Sequence, residues 1–96
     1  ESREFFLKAA RLMPEQTRIL YNLGLLENTL GNTARAEEHL LQALNMEPGN
    51  YDYLYAMATF SLEHGMKDKA LKYARQLADR FPGDQAARQL IEAAGK

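Results

Sequence analysis

Ninety-six residues make one small domain's worth of chain, enough to bury roughly two-thirds of the unfolded surface. With 46% hydrophobic residues, 26% charged residues and a net charge of -1, the composition excludes a disordered segment, and it carries no basic footprint for nucleic acid or an anionic membrane surface. The absence of cysteine excludes disulfides, thiolate catalysis and zinc–cysteine sites, and leaves the compartment open.

The predicted elements are all helical. The first covers about residues 2–13 and includes Phe5 and Phe6. The second lies over 17–30, where Leu20, Leu23, Leu26 and Leu30 recur at steps of three and four and read as one apolar face. Gly31-Asn32 stops it, because glycine tolerates the left-handed conformation that follows a helix C-terminus. The chain restarts over 33–46 with Ala36, Leu40, Ala43 and Leu44 on one face. Pro48 closes that helix and pushes Glu47 out of helical angles. Asn50 is the expected N-cap of a helix over 51–64, which Gly65 ends. A further helix follows over 67–80, then Pro82, then Asp84 as the cap of a last helix over about 84–94. That makes six helices. No apolar run approaches the roughly 20 residues of a membrane span.

These elements repeat. Pro14, Pro48 and Pro82 stand 34 residues apart, and each reads as the end of every second helix. A shift of 34 also places Leu20-Tyr21 on Leu54-Tyr55, Gly31 on Gly65, Ala36 on Ala70 and Pro48-Gly49 on Pro82-Gly83. Gly24 and Ala58 let paired helices approach, and Ala36 and Ala70 do the same from the facing helix. Leu23, Leu40, Met57 and Leu77 are expected to fill the space beside those contacts.

The pattern resembles the tetratricopeptide repeat over essentially the whole chain. The first full unit carries the resemblance in Leu20, Leu23-Gly24, Ala36, Leu40, Ala43 and Pro48; the second carries it in Leu54, Met57-Ala58, Ala70, Leu77 and Pro82. Two positions depart from the pattern: Glu27 and Ser61 stand where an aromatic is usual, and Ala74 stands where the first unit has Leu40. The resemblance implies an all-α solenoid of antiparallel helix pairs, stacked into a right-handed superhelix with a concave groove. It divides a single domain over 1–96 into the second helix of an incomplete repeat (1–16), full repeats over 17–50 and 51–84, and a C-terminal capping helix (85–96). The unpaired first helix reads as a piece cut from a longer array.

In this family first helices line the groove. By matching position they would offer Arg18, Tyr21, Asn22, Leu25 and Asn28, then Asp52, Tyr55, Ala56, Thr59 and Glu63. Tyr21 and Tyr55 recur at the same position one helix apart, and tyrosine joins a flat apolar body to a polar tip. The family's clamp for a C-terminal carboxylate would fall on Tyr21, Asn22, Leu25 and Ala56. Only Asn22 fits, so an amphipathic or extended partner is expected rather than an anionic tail. In the stretch 51–55, Tyr51 and Tyr55 share a helix face and Tyr53 points elsewhere.

Catalytic patterns are lacking. His39 and His64 sit in no metal-binding motif and read as surface residues, no Gly-rich phosphate loop occurs, and the carboxylates fall on expected solvated faces or caps. The expected function is a protein–protein interaction scaffold, non-enzymatic, without cofactor or metal, that takes a protein or peptide partner. The alternatives are a structural module that self-associates through terminal apolar residues such as Phe5 and Leu90, and an accessory repeat domain of a larger bacterial enzyme or redox protein.

Overall fold

The computed structural model describes residues 14–95, and these contain five helices and no strand. They are α1 (Pro14–Thr29), α2 (Thr33–Met46), α3 (Tyr51–Glu63), α4 (Lys67–Arg80) and α5 (Gln85–Ala94). The helix expected over 2–13, with Phe5 and Phe6, lies outside the described residues. Pro14 departs from the expected punctuation, since it is helical within α1 while Pro48 and Pro82 stand in the turns after α2 and α4. Proline is compatible with the first turn of a helix, where its missing N–H has no intrahelical partner to lose.

The stop signals work as chemistry requires. Gly31 and Gly65 have φ of 87° and 73°, the left-handed conformation that ends a helix. At the first, Asn32 N–H donates to Glu27 C=O at 2.8 Å and Gly31 N–H to Asn28 C=O at 3.2 Å. At the second, Met66 N–H donates to Ser61 C=O and Gly65 N–H to Leu62 C=O at the same two distances, 2.8 and 3.2 Å. Both ends are therefore Schellman closures. Glu47 and Phe81 take extended φ of -134° and -128°, as a residue before proline must. Asn50 accepts from Tyr53 N–H at 3.2 Å and Asp84 from Ala87 N–H at 2.9 Å, so both cap as expected.

The chain divides into two compact units, Glu1–Pro48 and Gly49–Lys96. In the first, α1 packs on α2. Thr17, Leu20, Gly24 and Glu27 are the buried face of α1, against buried Ala36, Leu40, Ala43 and Leu44 of α2. A Cβ on Gly24 would stand 2.7 Å from Leu40 Cγ and 3.2 Å from the Ala36 carbonyl, so this glycine sets how closely the pair approaches.

That contact overturns the expected apolar face of α1. Leu20 is buried, but Leu23, Leu26 and Leu30 are 38%, 54% and 66% exposed, and Ile19 lies with them on the outer side. Two stripes of α1 satisfy helical spacing, 17/20/24/27 and 19/23/26/30. Leucine count favours the second and close packing selects the first, because only Gly24 admits the facing Leu40. Leu23 therefore does not fill the interior, whereas Leu40, Met57 and Leu77 do.

The second unit packs α3 on α4 and α4 on α5, with α3 also reaching α5. Its core comprises Tyr53, Leu54, Met57, Ala58 and Phe60 of α3, Ala70, Tyr73, Ala74 and Leu77 of α4, and Ala87 and Ala94 of α5. The position held by Leu40 in the first unit is held here by Ala74, and the position of Gly24 by Ala58, both fully buried. From the first unit to the second the contact gains one carbon on the first helix and loses three on the facing one, so each unit matches its own pair of side chains.

Candidate interaction surface

The expected partner-facing residues lie on α1 and α3, and each set belongs to one unit. On α1, Arg18, Asn22 and Leu25 are exposed, while Tyr21 and Asn28 are half-buried. On α3, Asp52, Tyr55 and Glu63 are exposed and Thr59 is half-buried. Thr59 spends its hydroxyl on its own helix, donating to the Tyr55 and Ala56 carbonyls at 3.0 Å each. Ala56 is buried.

The second unit assembles an aromatic shelf at the start of α3. Tyr51 and Tyr55, one turn apart, stack with centroids 6.2 Å apart and an interplanar angle of 14°. The edge contact on Tyr51 comes from Phe81, in the turn after α4, at 5.0 Å and 79°. Both are favoured aromatic geometries. Tyr55 and Phe81 remain 39% and 36% exposed, while Tyr53 turns inward. Tyr51 Oη donates to Asp84 Oδ2 at 2.9 Å, the oxygen that also caps α5. That hydrogen bond first, then desolvation, and then the charges of Asp84 and Asp52, raise the Tyr51 phenol above its ordinary value. Phe81 was missed by sequence reasoning, which gave it no role. The signal available was register: Tyr51 and Phe81 match Thr17 and Glu47 one period earlier, and Thr17 Oγ1 donates to Glu47 Oε2.

A second matched pair lies inside. His39 Nδ1 is 2.5 Å from Glu27 Oε1, with the carboxylate nearly buried, so His39 is not the free surface residue expected. The equivalent residues one period on are Tyr73 and Ser61, and the Ser61 hydroxyl is buried without a hydrogen-bond partner. His64 is exposed, its ring 4.5 Å from that of Phe60. Among the described residues no three His, Asp or Glu side chains converge to hold a metal, and no helix is long and apolar enough to cross a membrane.

Two family models, each described as tetratricopeptide repeat, match residues 28–94 and 3–51. The chain belongs to the tetratricopeptide repeat family. It is also similar to the BBSome complex member BBS4 of Bos taurus, at 40% identity over 68 residues. That stretch is 71% of this chain and 13% of the relative, so the chain spans a small part of the curated protein it matches. Tetratricopeptide repeats generally mediate protein–protein interaction and are generally non-catalytic.

Proposed function

We propose that this chain is a non-enzymatic protein–protein interaction scaffold whose first helices, α1 and α3, each present a face to a peptide or protein segment. The observation that carries the reading is Tyr55, large, aromatic and 39% exposed on a helix face whose neighbours Asp52 and Glu63 are also exposed. Aromatic side chains so placed offer contact area at little cost in conformational freedom. On α1 the corresponding face offers Arg18, Tyr21, Asn22, Leu25 and Asn28. The similarity to a member of the BBSome complex agrees with a role inside an assembly.

A photo-crosslinking residue placed at position 55, against a control at the exposed Lys72 on α4, tests this in source-cell lysate. Capture of a defined protein from position 55 and not from position 72 is the expected result. Equal capture from both positions would move the contact away from the first helices.

A second reading, a module that packs against another apolar helix, is favoured by the exposed stripe Ile19, Leu23, Leu26 and Leu30 on α1. A mass that rises with concentration in sedimentation, and that returns to the single-chain value in Leu26→Lys, is what this reading requires.

A further inference from the structure

Two carboxylates rim the aromatic shelf of the second unit. Asp52 lies one turn before Tyr55 on the same helix side, and Asp84 is hydrogen-bonded to Tyr51. Neither carboxylate has a lysine or arginine partner among the described residues. Arg88, one turn beyond Asp84, forms no ion pair with it, and Arg80 lies against Gly49 instead. The same unit already places a cation by a tyrosine: Lys72 Nζ is 5.5 Å from the Tyr73 ring centroid.

We propose that the shelf of Tyr51, Tyr55 and Phe81, rimmed by Asp52 and Asp84, docks a basic peptide segment, with an arginine guanidinium lying on the open face of Tyr55 and bonding Asp52. Arginine suits it better than lysine because the guanidinium is planar, stacks on aromatic faces and donates in a fork that matches a carboxylate. The raised ionisation of Tyr51 agrees with an electronegative site, since every cause acting on it has the sign of nearby negative charge or burial. An acidic segment would meet Asp52, Asp84 and the electron-rich ring faces with repulsion, so the surface discriminates by charge as well as by shape. This inference rests on the first-helix faces being the partner-facing ones.

The test is a titration of the 96-residue chain with the capped peptide acetyl-Ala-Arg-Leu-Arg-Ala-amide, following the ring resonances of Tyr51, Tyr55 and Phe81 by NMR. Two control peptides carry citrulline, which keeps the shape without the charge, or glutamate. The arginine peptide is expected to shift the three rings. Citrulline should weaken it about threefold or more, and Tyr55→Ala and Asp52→Asn should each weaken it by at least a similar factor. Tyr55 and Asp52 are exposed, so both variants keep the helical circular dichroism of the parent. Equal shifts from the citrulline or glutamate peptides, shifts confined to other residues, or none at millimolar peptide would overturn the proposal. Crosslinking from position 55 to a partner segment without basic residues would overturn it while sparing the scaffold reading. Ring shifts with the arginine peptide alone, alongside no selective crosslink at position 55, would overturn the first-helix reading and with it the proposal that this shelf docks a partner.

Discussion

Tyr51 and Phe81 meet edge to face at 5.0 Å, at the positions where Thr17 and Glu47 share a hydrogen bond one period earlier. The backbone places the start of a first helix beside the residue before a proline in both units, and each pair of side chains solves that proximity differently. One uses a hydroxyl donating to a carboxylate, the other two rings and a hydroxyl that reaches past them to Asp84.

That hydroxyl makes the second unit sensitive to alkali. Folding raises the Tyr51 phenol above the ordinary tyrosine value, so it favours the protonated form. The associated stability is present below the unfolded pKa and is lost as pH rises through the folded one. Melting temperatures should show Tyr51→Phe slightly less stable than the parent at neutral pH, with the gap closing above about pH 10. A gap that persists unchanged into alkali would show that the phenol proton is not what holds Asp84.

Gly24 and Leu40 should behave as a coupled pair. Gly24→Ala puts a Cβ 2.7 Å from Leu40 Cγ and is expected to cost about 1–3 kcal/mol in urea unfolding. Leu40→Ala alone removes a fully buried side chain and should cost about 2–5 kcal/mol. The double variant rebuilds the Ala58–Ala74 combination and should be more stable than the sum of the two predicts. Strict additivity would mean that the helices move apart instead of packing through this contact.

His39→Ala and Ser61→Ala should act in opposite directions. The first strands the nearly buried Glu27 carboxylate and is expected to cost about 1–3 kcal/mol. The second removes a buried hydroxyl that satisfies no partner, and should be neutral or stabilising by up to about 1 kcal/mol. Thermal melts of both variants at neutral pH check the pair, and a clear loss in Ser61→Ala would reveal that its hydroxyl is engaged.

Gly65→Ala separates conformation from space. No atom lies within 4 Å of the added Cβ, yet φ is 73°, so the expected loss of about 1 kcal/mol comes from the left-handed backbone alone. At Gly49 the added Cβ would meet only the flexible end of Arg80, and the same substitution should be nearly silent by denaturation.

Turns and boundaries were legible in the sequence because single residues decide them. Gly31 and Gly65 close helices by a conformation that other residues reach at a cost, and Pro48 and Pro82 exclude helix continuation. The α4 boundaries at 67 and 80 follow directly from these signals. The face of α1 was not legible, since Leu23, Leu26 and Leu30 fit helical spacing as well as Thr17, Gly24 and Glu27 do. The choice depended on the steric match with Leu40, which periodicity does not contain. At the shelf, the shared side of Tyr51 and Tyr55 follows from their four-residue spacing, whereas Phe81 joins only through tertiary packing.

The exchanged partners across the two units also bear on how such a chain tolerates recombination. A hybrid joining α3 to α2 would drive the Cβ of Ala58 toward Leu40, set Ser61 opposite His39 and bring the ring of Tyr51 to Glu47. The converse hybrid, α1 with α4, would leave a hole between Gly24 and Ala74 and a nearly buried Glu27 facing Tyr73. The heritable module is therefore the hairpin and not the helix: duplication or shuffling that cuts within a pair is penalised, and cuts after Pro48 or after Asp84 leave each matched set intact.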